Sequence, residues 1–169
     1  MTIFTVRKAI LSDSEGIARV RVDTWRAAYK GIVLDEILES LSVERDTARW
    51  QENFASSRSP FVFVAEVEGQ VVGFACGGPE RSRDPEYAGE LYAIYILPEC
   101  QGQGIGRALL DASRSWLRAH GFTSMLIWVL KENLPACGFY AALGGLPVRQ
   151  KPVEIGPQTL VEVGYGFEL

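Results

Sequence analysis

Ile96-Leu97-Pro98-Glu99-Cys100-Gln101-Gly102-Gln103-Gly104-Ile105-Gly106-Arg107 decides how this chain is read. An apolar run, Leu91 to Leu97, feeds Pro98. A glutamine and three glycines in six residues follow, and Ala108-Leu109-Leu110 opens a helical pattern. A strand that passes through a glycine-rich turn into a helix start can hold phosphate. The first N–H groups of a helix lack partners within it, and glycine lets that backbone approach an anion. Two common phosphate loops are excluded. A P-loop needs lysine and then Ser or Thr after its last glycine; Arg107 and Ala108 stand there. A dinucleotide fingerprint needs GxGxxG, and Leu109 replaces the third glycine. Glycines alone are also compatible with a plain turn.

Working outward, Ile3 to Val6 reads as a strand. Ser12 with Glu15 fits a capping box for a helix carrying Ile17, Val20, Val22, Trp25 and Ala28. Leu34 to Leu41 and Val43 to Phe54 read as two shorter helices, the second opened by Ser42. Phe61 to Val67 and Val71 to Cys76 flank Glu68-Gly69-Gln70 as a hairpin. Gly77 to Gly89 reads as a mobile loop and Glu90 to Leu97 as the strand before the glycine turn. The helix Ile105 to His120 shows an apolar stripe of Ile105, Ala108, Leu109, Ala112 and Trp116, and Gly121 ends it. Ser124 to Leu130 is continuously apolar, as a central strand should be. Leu134 to Leu143 is a short helix, and Val148 to Ile155 and Thr159 to Phe167 are final strands. This order predicts one α/β domain over residues 1–169, a mixed sheet with helices on both faces.

The chain has 169 residues, is 47% hydrophobic and carries a net charge of −4. That balance gives no nucleic-acid footprint. The three cysteines are widely spaced and fit reduced thiols in a cytoplasmic protein. A single histidine argues against a zinc site. The start of the chain is too polar for a signal peptide, and no apolar run is long enough for a membrane span.

Gln101-x-x-Gly104-x-Gly106, preceded by Ile96-x-Pro98, resembles the pyrophosphate loop of the GCN5-related N-acetyltransferase (GNAT) superfamily. Asn133-x-x-Ala136-x-x-Phe139-Tyr140-x-x-x-Gly144 resembles that superfamily's second motif, one helix and one strand further on. The resemblance covers the element order of the whole chain. It implies a mostly antiparallel sheet splayed between its middle strands, acetyl-CoA as cosubstrate without a metal, and acyl transfer to a small-molecule or peptide amine. It also implies C-terminal strands that can support a homodimer. Gly145 departs from the phenylalanine common there, and Gly138 places a glycine inside a helix.

By the same resemblance, the backbone N–H groups of Gln101, Gly102, Gln103, Gly104, Ile105, Gly106 and Arg107 grip the pyrophosphate. The strand around Ile94, Tyr95 and Ile96 pairs with pantetheine, and one of its N–H groups polarises the thioester carbonyl. Asn133 caps a helix and contacts CoA. Tyr140 stands where many members keep the general acid that protonates the leaving sulfur; its alternative is a core tyrosine. Glu90 is the candidate general base, with a surface glutamate as its alternative. Trp25 and Tyr29 share a helix face and, with Tyr92, can wall the acceptor pocket or simply pack. Asp84, Glu86 and Glu90 would attract an amine, against which Arg81 and Arg83 work. Trp128 occupies the position where some protein N-terminal acetyltransferases carry glutamate. A non-catalytic acyl-CoA-binding module and a nucleotide-binding domain are the competing readings.

Overall fold

The computed structural model describes residues 1–169. Seven strands join one sheet: β1 (Thr5–Lys8), β2 (Phe61–Val67), β3 (Gln70–Pro79), β4 (Gly89–Ile96), β5 (Ser124–Leu130), β6 (Leu146–Ile155) and β7 (Gln158–Glu168). Their spatial order is β1-β2-β3-β4-β5-β7-β6. All neighbours are antiparallel except β4 and β5, which run parallel. Five α-helices complete the chain: α1 (Ser14–Ala28), α2 (Asp35–Ser40), α3 (Val43–Ser56), α4 (Ile105–Ala119) and α5 (Leu134–Ala142). The expected mixed sheet with helices on both faces is therefore present, and β5 lies inside it between β4 and β7.

Strand alternation assigns the helices to faces. Gly73 faces Leu109 of α4, and an added Cβ would lie 3.3 Å from it. The next residue, Phe74, stacks edge-on against Trp50 of α3 at 5.3 Å. Thus α4 covers one face of β2, β3 and β4, while α1 and α3 cover the other. Leu109, Leu110 and Leu117 of α4 are fully buried, each worth about 1.5–3 kcal/mol over exposure. The buried stripe is Ile105, Leu109, Leu110, Ser113 and Leu117. It is rotated from the expected one, and Ala108, Ala112 and Trp116 only flank it. Ser113 is tolerated inside because its hydroxyl donates to the Leu109 carbonyl at 2.8 Å.

Several expected boundaries move for identifiable reasons. The first strand is Thr5–Lys8, later than Ile3 to Val6, because its pairing runs along Phe63 to Glu66; Ile3 is left exposed. The Ser12/Glu15 capping box does not form. Instead a 3₁₀ turn, Leu11–Asp13, precedes α1, and Asp13 accepts the Ile10 N–H at 2.8 Å. The same carboxylate takes both Arg7 nitrogens at 2.8 and 2.9 Å, which commits it to holding β1 rather than capping α1. The expected loop from Gly77 to Gly89 is shorter, because β3 continues to Pro79 and β4 begins at Gly89. A Cβ on Gly77 would strike the Glu90 carbonyl and, at 2.6 Å, Phe61, so glycine permits this close pairing. The remaining loop is tied down by Asp84, which binds Arg149 at 3.0 Å. Ser42 caps α3 as expected, accepting the Arg45 N–H at 3.2 Å. Cys76, Cys100 and Cys137 are free thiols. No helix is long and apolar enough to cross a membrane.

Candidate active site

The parallel pair β4 and β5 is joined only at its start, where Gly89, Glu90 and Leu91 match Met125, Leu126 and Ile127. Beyond that point the strands part. A cleft of about 910 Å³ fills the gap, bordered by β4, β5, the glycine turn, α5, α1 and the β6–β7 hairpin. The backbone direction of β4 follows from one bond. Leu97 N–H donates to the Val72 carbonyl at 2.9 Å, toward β3. By alternation Tyr95 also points its backbone to β3, while Ile94 and Ile96 point theirs into the gap. The Ile96 carbonyl is occupied by the Gln101 amide at 3.0 Å. The gap therefore leaves Ile94 as the strand residue with both backbone groups facing outward and unclaimed. Tyr95 lines the cleft too, but with its side chain, whose hydroxyl accepts a hydrogen bond from Trp25 Nε1 at 3.1 Å, while its backbone is directed to β3.

At the mouth of the cleft lies the glycine turn. Gly102 and Gly104 have φ of 71° and 85°, the left-handed region that disfavours any side chain. Gly104 is also the N-cap of α4. A Cβ on either would meet nothing within 4 Å, so crowding by protein is not why they are glycine. Gly106 differs: its Cβ would lie 3.0 Å from Phe139, so this glycine admits α5 against α4. No acceptor within the protein takes the backbone N–H of Gly102, Gln103, Gly104, Ile105, Gly106 or Arg107, whereas that of Gln101, expected to share in the grip, donates to the Pro98 carbonyl at 3.3 Å and closes a 3₁₀ turn. The free donors gather at the positive end of α4, a fit for a diphosphate. Gln103 and Ile105 do not line the cleft with their side chains. Gln103 binds the Glu99 carbonyl, and Ile105 is buried in the core.

Tyr140 lines the cleft from the α5 side and is 5% exposed. It packs against Tyr165 and Phe139. Burial, with Tyr95 and Cys137 nearby, pushes its phenol well above the ordinary value, so it remains protonated and able to donate. Asn133 also lines the cleft, and its side chain caps α5 by accepting the Ala136 N–H at 3.4 Å. Gly138 has open space around it, and nothing in the structure explains that glycine.

On the opposite side stand Trp25 and Tyr29, edge to face at 4.8 Å, and Tyr92; all three line the cleft. Glu90 lines it too but is firmly held. Its carboxylate accepts the Arg81 backbone N–H at 3.0 Å, Arg81 Nε at 3.2 Å and Arg81 Nη2 at 2.6 Å. Arg81 rests over the Tyr92 ring at 4.0 Å. The expected acidic lure of Asp84, Glu86 and Glu90 does not assemble. Asp84 and Glu86 both bind Arg149 and lie outside the cleft lining. Lys151, Trp128 and Glu162 also border the cleft, a grouping that no motif or spacing in the sequence marks. The alternation along the last strand placed Glu162 on a definite face, but nothing in the chain order said what lay opposite it.

The profile of the acetyltransferase (GNAT) family matches residues 22–144. The chain is 44% identical over 164 residues to the uncharacterized N-acetyltransferase YuaI of Bacillus subtilis strain 168, covering 96% of this chain and 92% of that protein. Solved structures share the fold. PaiA N-acetyltransferase from Thermoplasma acidophilum, in complex with coenzyme A, superposes with a TM-score of 0.76 at 20% identity over 99% of both chains. YncA from Salmonella typhimurium, a putative acetyltransferase solved with acetyl-CoA, gives 0.70 at 24% identity over 98% of this chain and 93% of that one. With the sheet parted between β4 and β5 and the donor-rich turn at its mouth, the chain belongs to the GNAT acetyltransferase family and is an N-acetyltransferase.

Proposed function

We propose that the protein moves an acetyl group from acetyl-CoA to a primary amine of a small molecule or peptide by direct attack. The parted β4–β5 gap carries this reading, because it joins the unpaired N–H cluster to a buried, protonated phenol. The free N–H groups from Gly102 to Arg107 hold the diphosphate, Arg107 adding a cation at the same mouth. Ile94 offers its free N–H and carbonyl to the pantetheine amides, as a missing strand would. That N–H also lies where it can bind the thioester oxygen as charge develops on it. When bound, acetyl-CoA supplies an activated acyl carbon and a good leaving group.

Trp25, Tyr29 and Tyr92 wall the side from which the amine enters. Tyr140 gives its proton to the departing sulfur. The amine's own proton passes to a cleft carboxylate, and Glu90 and Glu162 are the two withdrawn from bulk water. Isothermal calorimetry with acetyl-CoA, ATP and NAD, followed by a thiol-release screen over an amine panel, tests the reading. Binding of acetyl-CoA alone with thiol release on at least one amine is expected. Binding without release on any amine would favour a non-catalytic acyl-CoA module, and preference for ATP or NAD a nucleotide-binding domain.

A further inference from the structure

The two faces of the sheet carry different chemistry where β5 meets β7. Register pairs Trp128 with Gly164 and Leu130 with Glu162. Leu130 packs with Tyr29 and Val33, on the face covered by α1. Glu162 lies on that same face, because directly opposed residues share a side. Tyr165, three residues on, points the other way and packs on Tyr140 at 5.9 Å. The acid and Glu162 thus stand on opposite faces, and the β4–β5 gap is the passage between them.

Glycine shapes the surroundings of Glu162. A Cβ on Gly164 would lie 3.2 Å from the Trp128 ring, so its absence gives the indole room. Lys151 rests over that ring at 4.0 Å and stands 4.0 Å from Glu162 Oε2, beyond hydrogen-bond distance. The Glu162 side chain is 21% exposed. Of the other cleft carboxylates, Glu90 has its oxygens committed to three Arg81 donors, and Glu132 and Glu154 are open to solvent. Glu162 alone combines partial burial with an unbonded carboxylate.

We propose that Glu162 is the residue that accepts the amine's proton, and that Glu90 is a positioning residue that holds Arg81. The inference rests on the acetyl-transfer reading above. In the step, an ammonium N–H bond breaks and its proton goes to a Glu162 oxygen. The freed lone pair forms the C–N bond to the acetyl carbon. The C–S pair leaves with sulfur, which takes the Tyr140 proton. The nitrogen, cationic once the C–N bond has formed, gives its second proton through solvent to the Tyr140 phenolate, and Glu162 returns its own proton to solvent, so the products are the amide, CoA thiol and one released proton. The surroundings suit a base. Burial raises the Glu162 pKa, Lys151 on β6 opposes, Glu90 on β4 adds to the rise, and Arg81 opposes. Glu132, Glu154 and, at the glycine turn, Arg107 complete the charged groups lining the cleft.

The test compares wild type with Glu162→Gln, Glu90→Gln and Lys151→Met, measuring thiol release from about pH 6 to about pH 10 on an amine found by the panel. Glu162→Gln should lose about 10²-fold or more in kcat at pH 7, with acetyl-CoA affinity unchanged by calorimetry. Its rate should then climb about tenfold per pH unit as solvent deprotonates the amine. Glu90→Gln should raise the KM for the amine and keep a plateau above the acidic limb, the limb itself moving to lower pH because a charge that raises the Glu162 pKa is gone. Lys151→Met leaves Glu162 in place and removes a nearby positive charge, so the acidic limb should move to higher pH. It supplies the decisive reading should Glu162→Gln misfold. Wild-type kcat and profile in Glu162→Gln, an unmoved limb in Lys151→Met, or the steep pH ramp appearing in Glu90→Gln overturns the assignment. A wild type that binds acetyl-CoA yet releases no thiol on any amine overturns the transfer reading, and this inference with it.

Discussion

At the scale of single residues, the site depends on two kinds of position. Tyr140 matters for its proton, which burial retains at neutral pH. Tyr140→Phe keeps the ring that packs on Tyr165 and Phe139 and deletes only the hydroxyl. We expect kcat to fall about 10²-fold or more with calorimetric acetyl-CoA affinity unchanged; an unaltered kcat would make Tyr140 a packing residue only. Gly104 matters for its backbone, with φ at 85° and open space where a side chain would be. Gly104→Glu forces a side chain into the left-handed region and sets a negative charge at the diphosphate end of α4. The strain costs about 1–2 kcal/mol, or about 2–8 °C in thermal midpoint. The KM for acetyl-CoA should rise at least about tenfold, because the introduced carboxylate competes with the anion for the same N–H groups. Intact affinity in calorimetry would remove the turn from the binding site.

Among the elements, the N-terminal strand is held less by its four residues than by one arginine. Arg7 bridges Asp13 before α1 and Glu66 on β2. Its hydrogen bonds hold both carboxyls below their ordinary values, and burial opposes the shift at each. A carboxyl with a depressed folded pKa stabilises the fold above its unfolded pKa, and that contribution disappears as pH falls through the folded value. Thermal midpoints should therefore drop as pH is lowered from about 5 toward 3. Asp13→Asn should lower the midpoint at neutral pH and flatten that acid dependence. An Asp13→Asn variant with the same slope as wild type would show that the bridge contributes little. This strand also illustrates the limit of local reading. Ile3 to Val6 has strand composition, yet pairing with Phe63 to Glu66 selects Thr5 to Lys8. Similarly, Ser12 and Glu15 have capping-box spacing, but Asp13 is drawn into the Arg7 bridge and a 3₁₀ turn replaces the box.

For the molecule as a whole, the decisive feature is that β4 and β5 pair for three residues and then part. An open seam in a sheet leaves backbone groups without partners, and a ligand that supplies them stabilises the fold by binding only the native state. At about 100 times its dissociation constant a ligand adds about 2.7 kcal/mol. For a chain of this size that is a rise of about 5–10 °C in thermal midpoint. Acetyl-CoA and CoA should both produce it in a fluorescence melt, while ATP and NAD at equal concentration should not. Equal shifts from all four would mean that the turn recognises phosphate alone and the seam takes no pantetheine.

The sequence by itself determined most of the elements and the donor end of the site. Helical and strand periodicities are written between near neighbours in the chain, so Val43 onward, the 61–76 hairpin, the glycine turn and Ser124 to Leu130 were legible. The turn was legible because positive φ demands glycine, and Asn133 because a helix start demands a cap. Only the tertiary structure decided which charges met. Glu90 stood beside Arg81 and Arg83 in the chain, but the closeness of Gly77 to the Glu90 carbonyl is what brings Arg81 onto Glu90 and closes that carboxylate. Glu162 looked like one polar residue in an alternating strand until β7 was inserted between β5 and β6, facing it toward Trp128, Lys151 and the open seam. Strand alternation encodes which face a residue takes, whereas sheet order, set by burial over the whole core, decides what that face meets.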